Sequence, residues 1–218
     1  MGGLSFDAVV FDADGTLFDT ETVMHQIWIE VGREMGEPRP GIEYLDYVGL
    51  NRPTMLRRMA EYGPGFDGEE FLRRVSQGLQ DRVEIQGVPL KPGARAILEF
   101  LHGKGLPMAL ATSTQRVRTD RRLELTGFRV YFQTTVTGDE VTRGKPDPQI
   151  YLLACQKLGV DPSRCLAVED SRNGILSAHT AGMAVAMVPD MIPPTPELEA
   201  LLWGKFQSLD ELLAHLQP

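Results

Sequence analysis

From about residue 87 onward the chain alternates short apolar runs with amphipathic stretches, and this alternation constrains its fold more than any other feature. The runs are too short for helices and end at polar or turn residues, as fully buried strands do. Phe6 to Phe11, upstream of that region, is the first and ends at Asp12. Pro107 to Ala111, with its MALA core, ends at Thr112. Thr134 to Thr137 is a third, Cys165 to Val168 a fourth that ends at Glu169-Asp170, and Ala184 to Val188 a fifth that ends at Pro189. Helical spacing fills the gaps at Ala94 to His102, Gln115 to Leu125, Asp147 to Leu158 and Ser171 to Ala181, with Pro148 at one start and Gly127, Gly159 and Gly182 at the ends. Strand and helix in alternation predict an α/β fold, a doubly wound parallel sheet with helices on both faces.

The stretch from Thr20 to Gln86 breaks that pattern. It has helical periodicity at Val23, Ile27, Ile29 and Val31, again at Met55, Leu56 and Met59, and again at Phe71, Leu72, Val75 and Leu79, with no convincing strand. A small helical insert over 19–86 accounts for it, leaving 1–18 and 87–218 as the sheet-bearing core. After Pro193 the chain reads as a Pro-rich loop, a short helix, a brief apolar piece and a closing helix from Asp210.

With 218 residues, 42% of them hydrophobic and 24% charged, the chain can bury a sizeable core without disulfide or metal staples. The net charge of -8 argues against wrapping nucleic acid or coating an anionic membrane. No apolar run approaches the ~18–20 residues of a membrane helix. The start, MGGLSF, has neither a leader pattern nor the Ser or Thr that myristoylation requires at position 6. Cys155 and Cys165 lie in apolar surroundings with no CxxC spacing, and read as buried thiols of a reducing, cytoplasmic compartment.

The chemistry-bearing residues fall at strand ends. Asp12 and Asp14 follow the first strand, Thr112 the second and Glu169-Asp170 the fourth. In a parallel sheet these ends share one edge, where ligand crevices form. Several carboxylates on one edge repel each other, a divalent cation relieves that repulsion, and hard oxygen ligands suit Mg²⁺. In Asp12-Ala13-Asp14-Gly15 a sharp departure at Gly15 would let both carboxylates face one pocket, one as nucleophile and the other as proton donor. A plain Asp-Gly turn accounts for the same residues. Lys145 is one of only 5 lysines against 17 arginines and sits between Gly144 and Pro146 just before a helix. There it can aim a compact charge at a phosphate, or simply face solvent. Thr112 and the amides after it can hold a phosphate oxygen, or merely cap the following helix, and Glu169-Asp170-Ser171 also fits a capping cluster. Arg116, Arg118, Arg121 and Arg122, interleaved with Asp120 and Glu124, read as a solvated helix face.

Taken together, FDADGTL, LATS, GKPDP and VEDS resemble, in order, the four motifs of the haloacid dehalogenase superfamily, with a helical insert directly after the first. The resemblance implies a Rossmann-like core with a helical cap, and a phosphotransferase. Asp12 matches the nucleophile that forms an aspartyl-phosphate, and Asp14 the acid that protonates the leaving oxygen and then activates water. Thr112 and Lys145 match phosphate ligands, with Ser113 beside Thr112. Asp170 matches the metal-binding carboxylate, with Asp12 and the Asp14 carbonyl completing the protein's share of a Mg²⁺ site and Glu169 holding a metal-bound water. The expected partner is a small phosphorylated metabolite, and the expected state a monomer. A cap that opens and closes would hinge near Phe18–Thr20 and Gly87–Pro89.

Asp14 argues against a dehalogenase, because halide departure needs no proton. The cap resembles that of β-phosphoglucomutase and the small phosphosugar phosphatases, in which a Gly-x-x-Arg segment contacts substrate. Gly49-Leu50-Asn51-Arg52 fits it, and so does a plain helix start before Pro53. The mutase-like His expected twelve residues after the nucleophile is Met24 here, with His25 one place on. Adjacent helical residues point about 100° apart, which favours a phosphatase over a mutase. A receiver module also gathers acidic groups, a hydroxyl and a lysine, but it is shorter, has no cap and places its acidic pair first. A non-catalytic phosphate-binding protein is the other alternative.

Overall fold

Ala-Val-Val-Phe at Ala8–Phe11 is apolar on both faces and forms β1, buried along its whole length. In chain order there follow four helices, α1 (Thr20–Glu34), α2 (Arg39–Ile42), α3 (Arg52–Met59) and α4 (Gly68–Gln86). The alternating part runs α5 (Ala94–Gly103), β2 (Met108–Ala111), α6 (Arg116–Thr126), β3 (Thr134–Val136), α7 (Gln149–Leu158) and β4 (Cys165–Glu169). It ends with α8 (Arg172–Thr180), β5 (Ala184–Met187), α9 (Pro196–Glu199), β6 (Gly204–Lys205) and α10 (Leu209–Leu216). The structure, a computed structural model, describes residues 6–217. Most of MGGLSF, on which the expectations about a leader and myristoylation rest, lies outside the described residues.

The strands form one parallel sheet in the order β3-β2-β1-β4-β5-β6. The chain builds outward from β1 through β2 to β3, then returns to the other side of β1 with β4. The strand order therefore reverses between β1 and β4, the place where an open α/β sheet leaves a crevice at its carboxyl edge. Strand side chains alternate between faces. Ala8, Val10, Ala109, Ala111, Ala167 and Val185 pack with Ile150, Tyr151 and Ala154 of α7 and Ile175 and Ala178 of α8. Val9, Phe11, Leu110 and Leu166 point the other way and are equally buried. Cys155 and Cys165 belong to the α7–α8 side, buried and unbridged.

One compact unit comprises the described residues through Asp19 and from Pro89 onward, the other Thr20–Val88. The second is helical. Its core is aromatic, with Trp28 5.0 Å from Phe71 and 5.1 Å from both Tyr44 and Tyr47 between ring centroids. The periodic residues Ile27, Met59, Phe71, Leu72, Val75 and Leu79 are buried there. Between α9 and α10 the short strand β6 pairs with β5 through Ala186 with Gly204 and Met187 with Lys205. Among the described residues no helix is long and apolar enough to cross a membrane.

Candidate active site

Register brings the strand ends together. Phe11 lies opposite both Leu110 and Val168, so the next residue, Asp12, falls between Ala111 and Glu169. Its N–H continues the ladder to the Val168 carbonyl at 3.0 Å, and Thr112 N–H does the same to Val136 at 3.0 Å. The chain then turns at Gly15, whose φ of +85° suits a residue without a Cβ. A Cβ there would also overlap Asp170 Oδ2, so glycine is required twice over.

Lys145 is the hub. Its side chain is 6% exposed, and Nζ lies 2.6 Å from both Asp12 Oδ1 and Glu169 Oε1, and 3.1 Å from the Ala111 carbonyl. The reading of Lys145 as a solvated loop residue does not hold. Glu169 is completely buried. Its Oε1 also accepts from Tyr151 OH at 2.7 Å, while Oε2 accepts from the Asp170 and Ser171 amides at 3.1 and 3.2 Å. Ser171 Oγ donates to Oε2 at 3.1 Å and caps α8 by accepting from Gly174 N–H at 3.1 Å. The carboxylate thus sits under a helix N-terminus, where the backbone dipole favours negative charge. Gly174 makes room for it, since a Cβ at that position would overlap the Glu169 carboxylate.

Asp12, Glu169 and Asp170 each place one carboxylate oxygen within 4.8 Å of the others. Burial pushes Asp12 up to about 8, with Lys145 opposing and the Glu169 charge adding to the rise. Burial works against the Lys145 charge, yet Asp12 and Glu169 outweigh it and hold the ammonium above its usual range. Burial also raises Glu169, but the Lys145 ammonium prevails and keeps its carboxyl below the usual range. Asp170 makes no ion pair among the described residues. Burial, then the Glu169 and Asp12 charges, push it well above the ordinary carboxylate value, and Thr16 Oγ1, which donates to Oδ1 at 3.0 Å, offsets this only in part. Carboxylates this close, one of them without a compensating charge, fit a hard divalent cation held by oxygen ligands.

The other expected residues fall as follows. Asp14 is at the same edge, where Oδ2 accepts from Thr114 Oγ1 at 2.7 Å and Oδ1 is paired with Arg122. Arg122 is therefore not on a solvated face. Thr119, Arg122 and Leu123 share the inward stripe of α6 and are all buried, while Arg121 does face outward and pairs with Glu124 at 3.6 Å. Thr112 is 1% exposed and its Oγ1 accepts from Thr114 N–H at 3.1 Å. It does not cap α6, whose cap position is Gln115. Ser113 follows it and is exposed. Gly49 and Arg52 belong to the helical unit, where Asn51 caps α3 by accepting from Thr54 N–H at 3.0 Å and Arg52, its first residue, pairs with Glu69.

Tyr151 and Arg122 escaped the reading of the sequence. Tyr151 looks like one more apolar residue in the buried stripe of α7; its hydroxyl is visible only as an otherwise unpaired polar group there. For Arg122 the spacing with Thr119 and Leu123 was the available signal.

Comparisons with known proteins agree with this geometry. Residues 6–182 match the family model described as haloacid dehalogenase-like hydrolase. A phosphorylated carbohydrates phosphatase of Thermotoga maritima is 35% identical over 178 residues, covering 81% of this chain and 82% of that protein. Hexitol phosphatase A of Escherichia coli is 32% identical over 213 residues, covering 96% and 94%. The crystal structure of a putative beta-phosphoglucomutase from Thermotoga maritima superposes with a TM-score of 0.80 at 32% identity, over 96% of this chain and 98% of that one. On the family match, the shared fold and a lysine-held aspartate beside two further carboxylates, the chain belongs to the haloacid dehalogenase-like hydrolases.

Proposed function

We propose that this hydrolase is a Mg²⁺-dependent phosphatase of a small phosphorylated carbohydrate, working through an aspartyl-phosphate on Asp12. The observation that carries the reading is the buried Asp12 carboxylate, clamped by Lys145 and flanked by Glu169 and Asp170. The two phosphatase relatives, which act on phosphorylated carbohydrates and on a hexitol phosphate by name, support the substrate class.

In this reading an Asp12 oxygen attacks phosphorus and the ester P–O bond breaks. Asp14 gives its proton to the departing alkoxide, which is too poor a leaving group to go as an anion. Asp14 then takes a proton from water as that water attacks the acyl phosphate, which frees Asp12 and releases inorganic phosphate. Lys145 holds Asp12 in place and, with the Thr112 hydroxyl and Ser113, binds the phosphoryl oxygens. Mg²⁺, held by Asp12, Asp170 and the Asp14 carbonyl, would offset the charge between the phosphate and these carboxylates, while Glu169, both of whose oxygens are taken by Lys145, Tyr151 and the start of α8, backs the site instead of ligating the ion. Arg52, with Gly49 before it, is assigned to the part of the substrate that is not transferred. The working unit is a monomer in the cytoplasm.

A mutase is the second reading, and the surroundings of His25 weigh against it. Its Nε2 lies 3.1 Å from the Gly41 carbonyl and its ring stacks on Tyr44 at 4.7 Å, so the imidazole is committed inside the helical unit.

The test is hydrolysis of p-nitrophenyl phosphate with and without Mg²⁺, in the parent and in Asp12→Asn. We expect activity only with Mg²⁺ and none above background in the variant; parent-level turnover in the variant overturns the assignment. A screen of phosphorylated carbohydrates for phosphate release, with β-glucose 1-phosphate also assayed for conversion to its 6-phosphate, separates the two readings.

A further inference from the structure

Asp190 stands just beyond β5, after Val188-Pro189, and takes no part in the chemistry above. Its side chain is 8% exposed and its Oδ1 accepts from Lys91 Nζ at 2.7 Å. Its Oδ2 is buried and has no hydrogen-bond partner among the described residues. A buried carboxylate oxygen without a donor is costly, and native structures rarely leave one so. The direction in which it points is informative. The position that a Cβ on Gly15 would occupy overlaps Asp170 Oδ2 and lies 3.1 Å from Asp190 Oδ2. The two oxygens thus approach the same point beside Gly15, Asp170 Oδ2 the closer of the two, a point that a side chain on residue 15 would occupy. Asp170 also joins Asp12 and Glu169 in the carboxylate cluster.

We propose that Asp190 is a positioning residue of the cation site: its free Oδ2 accepts a hydrogen bond from the hydration shell of the cation held by Asp12 and Asp170, while Lys91 fixes its other oxygen. The inference rests on the cation-dependent reading above. Mg²⁺ sheds its waters reluctantly and usually keeps several when bound. Their protons need acceptors, and carboxylates in that outer position orient the ion and strengthen its binding. A simple counter-ion of Lys91 would need only Oδ1 and would leave Oδ2 unexplained.

The test is titration calorimetry of the full chain with MgCl₂, which does not depend on turnover. Asp190→Asn should weaken Mg²⁺ binding about 10–100-fold, the range for lost outer-shell partners. Asp19→Asn is the charge control, because Asp19 also neighbours Lys91, at 3.9 Å. It should stay within about threefold of the parent, well short of the outer-shell range. Unchanged affinity in Asp190→Asn overturns the proposal, and so does an equal loss in Asp19→Asn, which would mark a general charge effect. Should Asp190→Asn fail to fold, Asp190→Ala decides in the same calorimetry: removing the carboxylate altogether should weaken Mg²⁺ binding at least about tenfold, and unchanged affinity overturns the proposal. If the parent binds no Mg²⁺, or binds it as well after Asp170→Asn, the cation reading itself fails; parent binding that needs Asp170 but ignores Asp190 removes this inference alone.

Discussion

The Arg122 guanidinium donates to Asp14 Oδ1, joining two residues 108 apart in sequence. The Arg122 side chain is 9% exposed and that of Asp14 24%, and Thr114 Oγ1 holds the second carboxylate oxygen. The proposed acid is thus tied at both oxygens to α6 and the loop before it. Arg122→Met should leave Asp14 with Thr114 alone among these two partners. A polar group stripped of its buried partner costs about 1–3 kcal/mol. Thermal or urea unfolding should show that loss, and the double variant with Asp14→Asn should be less destabilised than the two single losses added together. Simple additivity would mean that the pair contributes nothing jointly.

Asp14→Asn should separate substrates by their leaving groups. kcat/KM reports the steps through phosphoryl transfer, the stage at which the proposed mechanism has Asp14 supply the proton. For an alkyl phosphate the loss should be about 10²–10⁴-fold, the usual worth of a positioned acid. For p-nitrophenyl phosphate, whose phenolate leaves without help, the loss should be much smaller. Equal losses for both would count against the acid role.

Tyr151→Phe removes one hydroxyl beneath the site. Glu169 keeps Lys145 and the two amides but loses a 2.7 Å hydrogen bond. A hydrogen bond to a charged group contributes about 1.5–3 kcal/mol. The variant should melt at lower temperature and, because Glu169 and Lys145 together hold Asp12, bind Mg²⁺ about tenfold more weakly, as other changes in the shell behind a metal site do. Melting and calorimetry read the two effects independently, and an unchanged Mg²⁺ affinity would confine Tyr151 to stability.

Glu140 should shape the acid side of the stability curve. Burial raises its pKa, but Lys157 at 2.5 Å, the Thr137 amide and Arg116 outweigh burial and hold the carboxyl down at about 2. Its ordinary value is near 4.5. A group depressed in the folded state stabilises fully above its unfolded pKa, and that contribution is lost as pH falls through the folded one. Glu140→Gln should therefore lower Tm at neutral pH, and the gap to the parent should narrow between about pH 4.5 and 2. A gap that stays constant over that window would assign the effect to packing.

Much of this protein is legible in its residues taken in order. Short apolar runs that end at polar or turn residues place β1 to β5 because buried strand and amphipathic helix have different periods, and both are local properties of the chain. The short motifs Asp12-Ala13-Asp14-Gly15 and Gly144-Lys145-Pro146 mark chemistry because turn residues beside charges at strand ends are also local. β6 is not legible: Gly204–Lys205 carries no strand pattern and forms only because β5 offers it an edge.

What a charged side chain meets was decided by the tertiary structure alone. Lys145 taken by itself fits a solvated loop as well as a phosphate ligand, and it is the parallel register that brings Asp12 and Glu169 to within 2.6 Å of it. Arg122 reads as surface charge until α6 settles with that side toward Asp14. Asp190 is unremarkable in the sequence and becomes a buried carboxylate with an open oxygen only where β5 ends beside Gly15. Periodicity is set by bonds between near neighbours in the chain, whereas the burial and partners of a charge depend on segments a hundred residues away, which meet only after the sheet has formed.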